Sequence, residues 1–380
     1  MFENTIKFCD ELLSLGVPGF DLMVCKDGEC VLRHMNGYSD VENKVQMNGK
    51  ERYYMYSCSK VITCTAALQL WEKGMFSLED MLSDYLPEFR EMTVSTTEGL
   101  KKAENPILIK HLFEMTAGFS YRMNSPFLQK CKKDTNGECP TRETMKYLAK
   151  EPLLFEPGER WLYSLAHDVL AALVEVVSGE KFEDYVKKNI FHVLEMEDST
   201  FMLPDSELHT LCEQYKYDSV EKVAVNVGKG NEAKFGSKYA SGGAGCISTV
   251  EDYMKFLEAL RTYKLLKEET VALMQTDRLS DAQRKTYTKR DTHGYGLGVR
   301  CFKKDGVDHD FGWGGAAGAY LAIDIEKKLS LYFGCHFLSS PIMELRAMIY
   351  RFVYAELFAP DGVDAVWESL KTLQNRNLTY

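Results

Sequence analysis

Apolar positions recur at helical spacing from Asn4 to Ser14, at Ile6, Phe8, Leu12 and Leu13, until Gly16 and Pro18 stop the run. Two strand-like segments follow, Phe20–Cys25 and Cys30–His34, and the Asp27-Gly28 pair between them signals a hairpin. A longer apolar run predicts a buried helix from Val61 to Trp71. Strand patterns then become rare between Ser83 and Tyr239. Ile109–Met115 reads as a short helix ending at Ala117-Gly118, and Asp168–Val177 as an apolar helix stopped near Gly179. The polar stretch Lys130–Pro140 reads as an exposed loop. After Gly242-Gly243-Ala244-Gly245 the pattern mixes again. Ser248-Thr249-Val250-Glu251 reads as a capping box opening a helix through Met254, Phe256, Leu257 and Leu260. Tyr295–Phe302, Ala319–Ile325 and Leu329–Phe337 read as strands, with turns at Asp305-Gly306 and Glu326-Lys327-Lys328, and Met343–Leu357 as an amphipathic helix.

This order predicts an α/β (α+β) fold. An antiparallel sheet is drawn from residues 1–82 and 240–380 and flanked by the terminal helices, a mostly helical lobe at 83–239 is inserted between, and the site lies in the cleft. The chain has 380 residues, 45% hydrophobic and 27% charged, as ordinary globular proteins do. A net charge of −10 argues against nucleic-acid or anionic-membrane partners, which need clustered Lys and Arg. No stretch approaches the ~18 uninterrupted apolar residues of a membrane span, and no export signal is evident. Eleven cysteines without a Cys-x-x-Cys pair read as reduced thiols, so a cytoplasmic location is expected.

Candidate chemistry begins at Tyr56-Ser57-Cys58-Ser59-Lys60, at the head of the Val61–Trp71 run. Ser57 and Lys60 fall on one helical face, about 5–6 Å apart at Cβ. A desolvated, neutral amine there can accept the hydroxyl proton, while the helix start offers N–H groups to an oxyanion. The same residues also fit a capped helix with a solvated Lys60. Ser178-Gly179-Glu180-Lys181 and Ser219-Val220-Glu221-Lys222 repeat the spacing among polar neighbours, where a desolvated lysine is not expected. Cys58 reads as an alkylation target rather than a nucleophile. Tyr163, after Pro157-Gly158 and before a helix, is placed to reach a cleft and to share a proton with Lys60. The glycines of Phe311–Gly318 let backbone approach a ligand, and an N–H there can complete an oxyanion hole. Scattered histidines make neither a metal site nor a His-Glu-x-x-His motif, so no metal and no cofactor is expected.

Taken in order, these stretches resemble the serine β-lactamase-like superfamily, in its branch of class C β-lactamases, family VIII esterases and penicillin-binding proteins. The similarity covers Tyr56–Lys60, Ile109–Tyr121, Pro152–Ser164, Ser241–Glu251 and Gly312–Gly315. It implies Ser57 as nucleophile, Lys60 and Tyr163 as acid–base pair, and the N–H groups of Ser57 and Ala316 as oxyanion hole. Tyr121, Trp313, Gly314 and Gly315 are then substrate-binding candidates. Two positions depart from the family pattern: Leu165 replaces an asparagine of the second motif, and Trp313 a lysine of the third. Without that ammonium, recognition of a substrate carboxylate weakens by roughly 1.5–3 kcal/mol, and the flat indole suits esters or aromatic groups. The expected partner is a small-molecule acyl substrate, cleaved through an acyl-enzyme. A D-amino-acid peptidase, a β-lactamase, an acyltransferase and a catalytically silent binding relative stand as alternatives, and the oligomeric state is left open.

Overall fold

The computed structural model describes residues 1–302 and 309–377. Its main sheet has eight strands, all antiparallel, ordered His293–Tyr295, Arg300–Phe302, Phe311–Gly314, Tyr320–Asp324, Leu329–Cys335, Gly19–Lys26, Glu29–Asp40 and Val45–Gln46. The two ends of the chain meet where Leu22 pairs with Phe333 and Val24 with Leu331. Side chains alternate faces along these strands. Leu22, Val24, Leu331 and Phe333 pack with Phe8, Phe352 and Trp367 of the terminal helices Glu3–Ser14, Ala347–Phe358 and Val363–Asn377. On the other face Leu321, Ile323 and Tyr332 join the larger core with Val61, Ile62, Tyr253 and Phe256. Burial on both faces explains why these strands read as nearly continuous apolar runs. The α/β class, the antiparallel sheet and the flanking terminal helices are as the sequence predicts.

The Ser59–Glu72 helix is buried all round, with Lys60, Val61, Ile62, Ala66, Ala67 and Leu68 fully covered. It packs against Ala166–Ser178, which ends on Gly179 in the left-handed conformation at φ 74°. Several expectations need correction. Within Lys130–Pro140, residues up to Asp134 are helical: Ser125 Oγ caps Pro126–Asp134 by accepting from the Leu128 N–H at 3.2 Å, and Leu128 and Cys131 are buried. With only two apolar anchors among lysines, this helix looks like a loop. The helix after residue 248 begins one position late. Ser248 is held in a strand pair with Tyr53, so Thr249 is the cap, accepting from the Asp252 N–H at 3.1 Å. The single strand expected over Tyr295–Phe302 is instead two short strands, His293–Tyr295 and Arg300–Phe302, folded on each other around Gly296 and Gly298. The first part of the glycine-rich Phe311–Gly318 stretch, Phe311–Gly314, is itself a strand. Two hairpins lie where strands are not expected, Thr93–Thr96 with Gly99–Lys102 and Gln214–Asp218 with Val223–Gly228. Phe337–Leu338 leaves the main sheet to pair in parallel with Gln214–Asp218. The turn expected at Asp305-Gly306 lies outside the described residues.

Candidate active site

Tyr56–Cys58 form one 3-10 turn that runs straight into the Ser59–Glu72 helix. Tyr56 holds left-handed backbone at φ 46°, a conformation that bulky residues avoid. Its phenol donates to Gln214 Oε1, and the Met55 N–H before it donates to the Cys246 carbonyl at 2.8 Å, so both sides of the bend are fixed. Ser57 is the first side chain past that bend, and Lys60 follows one helical turn later. The Tyr163 phenol donates to Ser57 Oγ at 2.5 Å, and Lys60 Nζ lies 3.4 Å from the same oxygen. The three residues picked from sequence therefore converge. The two other Ser-x-x-Lys stretches do not resemble this one, since Lys181 and Lys222 are exposed.

Lys60 is fully buried, which works against its charge, but three groups work for it. Tyr121 and Tyr163 present their rings 5.4 and 4.6 Å from Nζ, and the Asp168 carboxylate adds a favourable field. The balance raises the Lys60 pKa above that of a free lysine. Nζ also donates to the Gly243 carbonyl at 2.7 Å. These groups favour the ammonium form, opposite in direction to the neutral amine expected from burial alone. Burial also pushes the Tyr121 phenol up to about 12, against the pull of Lys60.

The Gly242-Gly243 turn joins these groups. Thr63 Oγ1 donates to the Gly242 carbonyl at 2.7 Å, while Asp168 Oδ1 accepts from Tyr239 at 2.8 Å and from Ser241 at 2.7 Å. A Cβ on Gly243 would collide with Asp168 Oδ2 and lie 3.3 Å from Lys60 Nζ. Sequence reasoning missed Asp168 and its two donors. The available signal was an acid in the first turn of an otherwise apolar helix.

A cavity of about 470 Å³ opens beside Ser57, walled by Tyr56, Tyr121, Met123, Leu338, Ala316 and Glu232 among others. None of its described lining residues is cationic. Ala316 is exposed to the cavity; the neighbouring Gly315 N–H is already used, donating to the Ala319 carbonyl at 2.9 Å. Gly314 and Gly315 allow close approach, but to protein. A Cβ at Gly314 would sit 2.6 Å from Arg346 Nη2 and one at Gly315 2.7 Å from the Met55 carbonyl. Trp313 stacks on Tyr163 with centroids 5.7 Å apart and meets Tyr295 edge-on at 5.4 Å, and Tyr121 also stacks on Tyr163 at 5.3 Å and 7°. Leu165, in place of the expected asparagine, is buried. Cys58 is fully buried and its thiol is pushed up to about 12 by burial, so it is no alkylation target. Among the described residues no cluster of His, Cys, Asp and Glu is arranged to hold a metal ion, and no helix is long and apolar enough to cross a membrane.

Ser57, Lys60 and the partly buried Tyr163 meet at the head of one helix, and comparison with known proteins shows the family of the chain. The chain belongs to the beta-lactamase family, whose model matches residues 5–341. Protein Rv1367c of Mycobacterium tuberculosis is 26% identical over 262 residues, covering 66% of this chain and 65% of that protein. Esterase EstB of Burkholderia gladioli is 28% identical over 269 residues, covering 66% of this chain and 67% of its own. Among solved structures, EstCE1, a hydrolase with promiscuous acyltransferase activity, superposes with a TM-score of 0.78 at 24% identity, over 92% of this chain and 98% of that one. The match to Rv1367c thus spans slightly less than two thirds of that relative's length.

Proposed function

We propose that this protein is a serine hydrolase that cleaves esters or related acyl compounds through an acyl-enzyme on Ser57. The observation that carries the reading is the 2.5 Å contact of Tyr163 with Ser57 beside the Lys60 ammonium. Lys60 and Tyr163 share a proton, and in the reactive microstate the amine holds it while the phenolate faces Ser57. The Ser57 proton passes to Tyr163 as Oγ bonds to the acyl carbon, and the carbonyl oxygen becomes an oxyanion between the N–H groups of Ser57 and Ala316. Collapse breaks the bond to the leaving alcohol, which takes the proton back from Tyr163. Water repeats the sequence in reverse roles and frees Ser57.

Trp313 in place of a lysine, and a cavity without cationic lining, favour neutral acyl groups over the carboxylates of β-lactams and peptide ends. A second reading is acyl transfer to an alcohol or amine. The apolar cavity wall supports it by favouring an organic acceptor over water. The eleven free thiols, ten of them buried, support a reducing compartment such as the cytoplasm. The test is intact-mass measurement after a fluorophosphonate probe, followed by a panel of p-nitrophenyl esters, D-amino-acid amides and a chromogenic cephalosporin. A single adduct absent from Ser57→Ala, with esters turned over fastest, is expected. Labelling that survives Ser57→Ala rejects the reading.

A further inference from the structure

The hairpin Gln214–Asp218/Val223–Gly228 carries a feature that the chemistry at Ser57 does not use. Val223–Gly228 is the edge of a three-stranded sheet whose other members are Gln214–Asp218 and Phe337–Leu338. Its inner face, at Ala224 and Asn226, is anchored: Ala224 packs on the core of the terminal helices, and Asn226 Nδ2 donates to Glu42 Oε2 at 3.1 Å. Its outer face is a row of valines, Val223, Val225 and Val227, exposed to 48%, 45% and 46%. Soluble proteins keep edge strands charged and short because bare apolar edges associate. Three exposed valines there need a use.

The register points to one. Leu338 pairs with Lys216 and Lys216 with Val225, so these side chains form one row across the sheet on the valine face. Val227 and Leu338 also wall the cavity beside Ser57. The valine face is therefore continuous with the cavity and runs outward from it for about 13 Å, at ~3.3 Å per residue. Lys216, in the middle of this row, is exposed, and the methylene stem of a lysine can cover apolar surface while its ammonium stays in water.

We propose that Val223, Val225 and Val227, with Leu338, form a subsite for the apolar tail of the acyl group, so that the substrates are esters of medium- and long-chain acyl groups rather than acetyl or butyryl esters. This rests on the reading of Ser57 as nucleophile. The acyl carbon sits at Ser57, the first methylenes fill the cavity, and the rest of the chain lies along the valine row, covering surface that water now contacts. Covering a methylene on one side gives about a twofold gain, half of the effect of full burial on a logarithmic scale.

The test is a series of p-nitrophenyl esters from acetate to dodecanoate, below their micellar concentrations, with the full chain and with the double variant Val223→Thr/Val225→Thr. Threonine keeps the β-branched shape and strand preference while making the row polar. In the wild type kcat/KM should rise about twofold per added methylene beyond butyrate. In the variant the dodecanoate-to-acetate ratio should fall at least fivefold. A ratio that the variant leaves unmoved overturns the subsite, as does a chain-length response confined to the alcohol side in a parallel series of alkyl acetates. Light scattering on both proteins tests the other occupant: a wild-type dimer that the variant dissociates, with the ester ratio unchanged, makes the row a self-association face. Acetate turnover that survives Ser57→Ala would instead undo the underlying reading.

Discussion

Tyr163 Oη lies 2.5 Å from Ser57 Oγ, whereas Lys60 Nζ lies 3.4 Å from it and gives its 2.7 Å bond to the Gly243 carbonyl. The phenol is the closer proton partner and the amine holds the field around it. Tyr163→Phe should lower kcat for a short ester by 10²–10⁴, the usual range for a lost general base, with KM within threefold. Steady-state kinetics on circular-dichroism-matched protein checks this. A loss under tenfold would leave Lys60 as the sole base.

Lys60 and Asp168 are buried groups of opposite charge type that both crowd the Cβ position of Gly243, and the Asp168 field favours the Lys60 charge. Removing one leaves the other uncompensated, at a cost of roughly 3 kcal/mol. Lys60→Met should therefore lower stability by about that amount in urea unfolding, and Lys60→Met/Asp168→Asn should recover at least half of it. Additive losses in the double variant would show that the two charges do not couple.

Tyr163 stacks with both Tyr121 and Trp313, and aromatic pairs of this kind contribute about 0.5–1.5 kcal/mol each. Trp313→Ala should lower kcat roughly tenfold by freeing the Tyr163 ring, while Trp313→Phe, which keeps a stacking face, should retain most of it. Equal losses in both variants would assign Trp313 a role through its indole N–H instead.

His167 is fully buried, and desolvation, aided by the Lys60 charge, lowers its pKa from 6.5 to about 3. The unfolded chain then binds a proton that the native site refuses between those values. The stability from a neutral His167 is whole above about pH 6.5 and is lost as pH falls toward 3, at no more than about 1.4 kcal/mol per pH unit. His167→Gln should flatten the acid limb of the stability–pH curve relative to wild type. Parallel curves for the two proteins would contradict the lowered pKa.

Much of this was legible in the chain before folding. The central strands are covered on both faces and so announce themselves as apolar runs, and the Val61–Trp71 run marks Ser57 and Lys60 as the one Ser-x-x-Lys pair that can be buried. The Pro157-Gly158 turn and the family resemblance found Tyr163. What stayed hidden depends on distant segments. Helical spacing puts Lys60 next to Ser57 but cannot give the sign of the field on it, which comes from Tyr121, Tyr163 and Asp168. The packing of Gly314 and Gly315 onto Arg346 and Met55 likewise looks, in one dimension, like an open ligand loop.

The pairing of Gly19–Lys26 with Leu329–Cys335 has a consequence for biosynthesis. A ribosome releases the first strand some three hundred residues before Leu329–Cys335 exists. Glu29–Asp40 can pair with that strand early, but Leu22 and Val24 lack Leu331, Phe333 and the C-terminal helices through most of translation. The turn bearing Ser57 waits too, for the Cys246 carbonyl that steadies it. Nascent chains should therefore need a holdase until late in elongation, and probe-reactive serine should appear only once the strand ending at Cys335 has left the exit tunnel.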